Sequence, residues 1–184
     1  MTRLVQDLLC LARADAQQHL ELAPADIAPL IQAACRTARG LSETVRVELG
    51  DVPEGCVILA NAERFIELLA ILLDNAIRYS PPFEHVEVRA RRLRRGTAAG
   101  VLVEIADHGP GIPVEERERI FERFYRSRTA GYRDGVGLGL AVARWIATEH
   151  HAELTVMDNT PVGSVFCLWL ASVGGAEPSG RDRS

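Results

Sequence analysis

An α/β domain with a short helical appendage is the fold class that this 184-residue sequence predicts. Three observations predict it. Residues 61–79 repeat apolar side chains at helical spacing, several segments of five or six residues alternate with period two, and the two kinds of segment are interleaved along the chain. At 47% apolar and 25% charged residues, the chain has enough material for one core and too little for two domains.

The elements follow in order. Leu4, Leu8 and Leu11, flanked by Val5, Leu9 and Ala12, form one stripe on a helix over residues 1–18. A stripe this apolar on so short a helix asks for a partner helix elsewhere, as in a coiled coil or bundle. Residues 19–24 read as a linker. Asp26 then caps a second helix whose Ile27, Leu30, Ile31 and Ala34 share a face, and which ends near Gly40. Val45 to Leu49 alternates as a strand, the chain turns over 50–55, and Val57 to Leu59 returns, which predicts a hairpin-like pair. The longest helical pattern follows, from Asn61 to Tyr79, with Phe65, Leu68, Leu69, Leu72, Leu73, Ala76 and Ile77 on a broad apolar face and Ser80-Pro81-Pro82 as its stop.

His85 to Leu93 alternates again, with Val86, Val88 and Ala90 inward, and Val101, Val103 and Ile105 line one face of the next strand. A short helix from Pro113 carries Ile120 and Phe121. The chain ends with a helix from Leu138 to Glu149, strands at 153–157 and 165–170, and a small, polar segment from Gly174 that reads as a disordered tail.

Composition excludes several function classes. A net charge of −4 leaves no electrostatic footprint for nucleic acid. The run Arg89-Ala90-Arg91-Arg92-Leu93-Arg94-Arg95 is better read as a solvated sheet edge, because period-two alternation sends its arginines to both faces. Cys10, Cys35, Cys56 and Cys167 are scattered among apolar neighbours and predict reduced, structural thiols. No apolar run is long enough to span a bilayer, and Asp7 and Arg13 interrupt what could be a leader, so a soluble, cytoplasmic chain is expected.

Chemistry concentrates at three places. Gly135-Val136-Gly137-Leu138-Gly139-Leu140 alternates glycine and runs into a helix, so its backbone can approach a bulky anion while the helix directs free N–H groups at it. Asp107 ends a strand and is followed by His108-Gly109-Pro110-Gly111-Ile112-Pro113, an arrangement that aims one carboxylate into a pocket. Asn75, Arg78 and Tyr79 crowd the end of a mostly buried helix, where positions three and four apart share a face, and Asp74 points about 100° away from Asn75. Between the Asp107 turn and the Gly135 loop lies a basic stretch, Arg126 to Asp134, hinged by glycines and suited to closing over a polyanion.

Taken together, Asp74-Asn75-Ala76-Ile77-Arg78-Tyr79-Ser80-Pro81, Asp107 to Pro113, Phe121-Glu122-Arg123-Phe124-Tyr125-Arg126, Gly135 to Leu140 and Gly163-Ser164-Val165-Phe166 resemble the ATP-binding catalytic domain of bacterial sensor histidine kinases. They correspond to its N box, first glycine box, F box, second glycine box and final Gly-Thr/Ser-x-Phe, in order and at similar spacing, over roughly Pro24 to Ala171. The resemblance implies a two-layer α/β sandwich, with a mixed, mostly antiparallel sheet packed on three helices and an N-terminal helical stub. It divides the chain into the end of a dimerisation and phosphoacceptor bundle helix (1–18), a linker (19–24), the catalytic domain (25–172) and a tail (173–184).

The same resemblance implies the ligands ATP and Mg²⁺. Asp107 would accept from the adenine amino group, with Ser164 assisting through water. Asn75 would ligate Mg²⁺, Arg78 would contact phosphate and Tyr79 would pack against the base. Gly109, Gly111, Ile112 and Phe124 would complete the nucleotide pocket, and Gly135, Gly137, Leu138, Gly139 and Leu140 would admit the phosphates. Arg126, Arg128 and Arg133 are the candidate lid contacts, and Asn75 and Arg78 the candidate catalytic residues. The implied partners are a histidine-bearing dimerisation and phosphotransfer domain, a response regulator indirectly, and a second copy through the N-terminal helix if the bundle is complete.

Two departures from the pattern matter. The family usually carries a second Asn one turn before the metal-binding one, and here that position is Ile71; a branched apolar side chain orients neither water nor a metal-bound group. Glu67 is no substitute, since it lies two turns from Asn75, about 12 Å along the helix axis. No acceptor motif exists among His19, His85, His108, His150 and His151. The resemblance therefore implies a piece of a longer kinase or half of a split one, with a nucleotide-binding regulatory module as the competing reading. The related serine-kinase anti-sigma type wants an acidic residue where Ile71 stands.

Overall fold

Seven strands and three helices make up the described part of the computed structural model, which describes residues 19–127 and 136–173. The expected bundle helix (1–18), the lid positions Arg128 and Arg133 with Gly135, and the tail from 174 lie outside the described residues. The strands are β1 (Ala23–Asp26), β2 (Arg46–Leu49), β3 (Val57–Ala60), β4 (His85–Arg92), β5 (Gly100–Ala106), β6 (Glu153–Asp158) and β7 (Ser164–Ala171), and the helices are α1 (Ile27–Ala38), α2 (Ala62–Tyr79) and α3 (Gly139–Glu149). No helix among the described residues is long and apolar enough to cross a membrane.

The main sheet has the order β2-β4-β5-β7-β6, with β2 parallel to β4 and every other pair antiparallel. Helices pack on one of its faces as an α/β two-layer sandwich. Val86, Val88, Val103, Ile105, Phe166 and Leu168 project from the sheet into a core completed by Ile31, Phe65, Leu68, Leu72, Val142 and Ile146 from the helices. Each large side chain buried there contributes about 1.5–3 kcal/mol. The helix α2 packs against both α1 and α3 and so is the central strut of that layer.

The hairpin expected between residues 45 and 59 does not form. β2 pairs instead with β4, 39 positions on, and β3 pairs antiparallel with β1, within a two-stranded sheet of its own. Alternation identifies a strand but not its neighbour, since the same pattern fits any partner with a matching apolar face. β1 itself includes Ala23 and Pro24 of the expected linker, and the preceding residues are docked rather than loose: the Leu20 N–H donates to Glu149 Oε2 at 3.2 Å, and Asn61 Nδ2 donates to the Glu21 carbonyl at 3.3 Å. The short helix expected from Pro113 is two 3₁₀ turns, Val114–Glu116 and Arg119–Phe121.

Caps explain the helix bounds. Asp26 accepts from the Ala28 N–H to start α1, and Asn61 accepts from the Arg64 N–H to start α2. The basic run after β4 is tied to protein partners: Arg91 pairs with Glu104 at 3.3 Å, Arg92 donates to the Glu54 carbonyl, Arg94 to the Thr97 carbonyl, and Arg95 pairs with Glu153 while lying over Trp169. Cys35, Cys56 and Cys167 are buried and free, and burial raises each thiol, that of Cys167 to about 11, so thiolate chemistry is suppressed.

One buried titratable group joins two helices. His150, 4% exposed, accepts from the Asn61 N–H at Nε2 (3.1 Å) and places Nδ1 2.8 Å from the Ile146 carbonyl, which fixes the neutral Nδ1–H tautomer. Burial lowers its pKa below the ordinary 6.5. The unfolded chain therefore takes up a proton that the folded state resists, so stability is intact above 6.5 and is lost as pH falls through that value toward the lowered folded pKa. Thermal melts between about pH 8 and about pH 5 check this: Tm should fall more steeply for the wild type than for His150→Gln. Parallel slopes would contradict a buried neutral ring.

Candidate functional site

Strand β5 carries its apolar face through Ile105 and ends by presenting Asp107, which is 2% exposed. An isolated carboxylate at that depth is expensive, and the structure holds one of its oxygens with backbone donors. The Gly109 N–H reaches Oδ1 at 2.8 Å and the Ser164 N–H reaches it at 3.1 Å. Among the described residues no donor meets Oδ2, so the carboxylate is anchored through one oxygen and offers the other. Burial raises the Asp107 pKa, opposed by the Gly109 and Ser164 N–H groups and by the nearby His108.

The backbone around Asp107 is built at equal precision. Asp107 N–H donates to the Ser164 carbonyl at 2.8 Å, and Asn159 Nδ2 donates to the Asp107 carbonyl at 2.9 Å. Gly163 has φ +119°, and a Cβ there would stand 1.9 Å from the Asp107 carbonyl oxygen. Only glycine permits that approach. Gly109 is similarly confined, with Tyr79 O and Asp107 Oδ1 each 3.0 Å from where its Cβ would be, so the end of α2 and the turn after β5 are pressed together. Gly111 faces Gly163 O, and Ile112 packs on the edge of the core.

Asn75 projects from the last turns of α2, half-buried, and among the described residues its amide makes no hydrogen bond. Such an amide keeps both its acceptor and its donors for a ligand. Arg78 places its Nη2 3.2 Å from Asp74 Oδ2, the pairing that i, i+4 spacing favours. Tyr79 is half-buried beside the Gly109 turn. Glu67 is engaged with Arg64 at 2.6 Å, away from Asn75.

Ile71 is 8% exposed and belongs to the core, and a Cβ on Gly139 would meet its Cγ2 at 3.4 Å. The side chain at this position therefore supports the first residue of α3 by apolar contact. The described end of the glycine loop is stitched to the segment at Phe124 and Tyr125: Phe124 N–H donates to the Gly137 carbonyl at 2.9 Å, and Gly137, at φ +77°, leaves no space for a Cβ against Tyr125 O and Phe124. Phe124 has φ 63° and its ring is exposed, so it is tied to the loop by its backbone. Leu138 is buried under the start of α3, Leu140 is half-buried there, and Arg126 is exposed.

The structure thus brings together Tyr79, Asp107, Gly109 and Ser164 in one group, Gly111 with Gly163 in its margin, and Phe124 with Gly137 at the mouth of the loop. Asn159 and Ser80 were not singled out from sequence. Asn159 braces Asp107 from a turn 52 residues away, and buried Ser80 accepts at Oγ from the His108 N–H. Their only local signal is position, one in a strand-connecting turn and one at a helix stop.

A carboxylate with one open oxygen, an unpaired amide, paired and exposed arginines and a glycine loop leading into a helix form a donor set for a base, a hard cation and phosphates. Residues 60–173 match the family described as histidine kinase-, DNA gyrase B-, and HSP90-like ATPases. The signal transduction histidine-protein kinase/phosphatase MprB of Mycolicibacterium paratuberculosis is 36% identical over 163 residues, covering 89% of this chain and 30% of that protein. A solved structure of the mycobacterial sensor histidine kinase MprB superposes with a TM-score of 0.71 at 29% identity, over 82% of this chain and 97% of that one. Full-length ShkA in complex with AMPPNP gives a TM-score of 0.78 at 28% identity, over 95% of this chain and 36% of that one. The chain spans about 30% of the length of the curated relatives it matches.

Proposed function

Because the chain belongs to the family of histidine kinase-, DNA gyrase B-, and HSP90-like ATPases, we propose that it is the Mg²⁺-ATP-binding catalytic domain of a cytoplasmic two-component histidine kinase module, serving a histidine outside this sequence. The observation that carries the reading is Asp107, anchored at Oδ1 by Gly109 and Ser164 with Oδ2 left for the amino group of adenine. ShkA, similar over 95% of this chain, was solved with AMPPNP.

Bound Mg²⁺-ATP would supply the phosphoryl group and a cation that neutralises phosphate charge. Every other contribution comes from the chain. Asp107 selects the base, Ser164 supports it, and Tyr79, Gly109, Gly111, Ile112 and Phe124 border it. Asn75 offers its amide oxygen to the metal, a fit for a hard ion that retains most of its waters. Arg78 and Arg126, with Arg128 and Arg133 of the lid, balance phosphate charge, while Gly135, Gly137 and Gly139 give the backbone access at the N-terminus of α3. Catalysis is then positioning and charge balance, with the imidazole of a histidine-bearing dimerisation and phosphotransfer domain as nucleophile. A response regulator follows downstream, and the N-terminal helix would join two copies.

Calorimetric titration with ATP, with and without Mg²⁺, tests the metal role. Mg²⁺ should strengthen binding to the wild type, and Asn75→Ala should weaken Mg²⁺-ATP binding about tenfold while leaving metal-free ATP binding unchanged, about 1.4 kcal/mol. An unchanged Mg²⁺ dependence in the variant would remove Asn75 from the metal site.

Ile71 supports a second reading, a nucleotide-binding regulatory module that reports occupancy to a partner. Its side chain is committed to packing beneath Gly139, which leaves no polar group one turn before Asn75 to assist transfer. Both readings share the nucleotide site and differ in whether a histidine becomes phosphorylated.

A further inference from the structure

We propose that Glu84, His85 and His108 form a binding site for a divalent transition metal of the zinc type, separate from the groups assigned to nucleotide. One ligand atom from each of the three lies within 4.8 Å of the others. The topology creates the cluster. The antiparallel register pairs Glu87 with Ala106, and two residues further toward the strand ends the same register sets His85 opposite His108. The two rings are 4.7 Å apart at 48°, and both histidines are half-buried.

Orientation is also in place. His108 Nδ1 lies 3.0 Å from the His85 carbonyl oxygen. A carbonyl only accepts, so Nδ1 carries the proton and Nε2 keeps its lone pair; this is the outer hydrogen bond that holds metal-ligating histidines in one tautomer. The His108 N–H is fixed in turn by Ser80 Oγ at 3.4 Å. Among the described residues, neither the His85 ring nor the Glu84 carboxylate has a hydrogen-bond or ion-pair partner, so neither must give one up. Two imidazoles and a carboxylate suit zinc, with water completing the coordination, and small side-chain rotations bring ligands from this spacing to metal distances of about 2.0–2.2 Å. A hard ion such as Mg²⁺ prefers oxygen and is a poor match.

Zinc titrated into the metal-free full chain, followed by calorimetry and by the ring resonances of the histidines, tests the site. One equivalent should bind, shifting the His85 and His108 rings and raising Tm. His85→Ala and Glu84→Gln should each weaken it by about tenfold or more, while His151→Ala at the far end of α3 leaves it unchanged. The ring shifts are read on the wild type, so the result does not depend on how a variant folds. Zinc that binds without moving the His85 and His108 resonances, or no stoichiometric binding, overturns the proposal. ATP affinity does not enter any of these readouts, so the site stands or falls apart from the nucleotide reading.

Discussion

Asp107→Asn should weaken ATP binding about a hundredfold without unfolding the domain. The amide keeps an oxygen at the Oδ1 position, so the Gly109 and Ser164 N–H groups, at 2.8 and 3.1 Å, retain their acceptor. What changes is the open position, where an NH₂ donor would replace the acceptor and face the amino group of adenine. Two donors then confront each other in a buried setting, which costs about 2–3 kcal/mol. Guanine carries a carbonyl at the corresponding position, so the preference for ATP over GTP should shrink as well. Stability should hold or rise. Burial lifts the Asp107 pKa above its ordinary 3.8, so the stability associated with this group is full below that value and declines as pH rises through the folded pKa, a decline that a neutral amide avoids. Binding of a fluorescent ATP analogue, paired with a thermal melt, checks both halves. Unchanged affinity would mean that another group reads the base, and a collapsed melt would make Asp107 structural.

Gly163→Ala should be among the most damaging single-methyl changes, with a loss of at least about 3 kcal/mol. Its φ of +119° is a conformation that L-residues rarely adopt, and the new Cβ would lie 1.9 Å from Asp107 O, 2.8 Å from Asp107 C and 2.9 Å from His108 Cα. All three obstacles are backbone, so no side chain can swing aside. Relief requires moving the peptide that positions Asp107, and nucleotide affinity should fall with stability. Gly55→Ala is the control, since Gly55 also has positive φ (+61°) but nothing within 4 Å of its Cβ position, and it should cost about 1 kcal/mol. Chemical denaturation of the two variants checks the contrast. Equal losses would show that backbone conformation alone, and not the contact with Asp107, sets the requirement for glycine.

Helices were the most legible part of the chain. Phe65, Leu68, Leu72 and Ile77 declare one face of α2 whatever lies against it, and Asp26 declares the start of α1. Most strands were legible as strands, but their partners were not. Nothing local to Val45–Leu49 specifies a parallel neighbour at His85–Val88, and Ala23–Asp26, with a proline and no alternation, gives no strand signal at all. The candidate site divides the same way. Asp107 and the glycines stand out because their residue types at a strand end or before a helix have few other uses. The donors that hold Asp107 come partly from Ser164, 57 positions away, and the brace from Asn159 depends on the β6–β7 turn, so both follow from sheet order rather than from sequence proximity. The Arg78–Asp74 pair is itself legible in the sequence, since i, i+4 spacing on a helix brings opposite charges together.

Ile71 remains the residue on which the kinase reading turns. Its place under Gly139 explains why an apolar side chain is accommodated, and it leaves transfer to depend on Asn75, the arginines and the approach of the acceptor. The direct measurement is incubation of the chain with γ-labelled ATP, Mg²⁺ and a helical bundle domain that presents an acceptor histidine. The account predicts acid-labile, base-stable label on that histidine, abolished by Asn75→Ala and by replacing the acceptor. Tight ATP binding with no labelled histidine would contradict it and leave the regulatory module in its place.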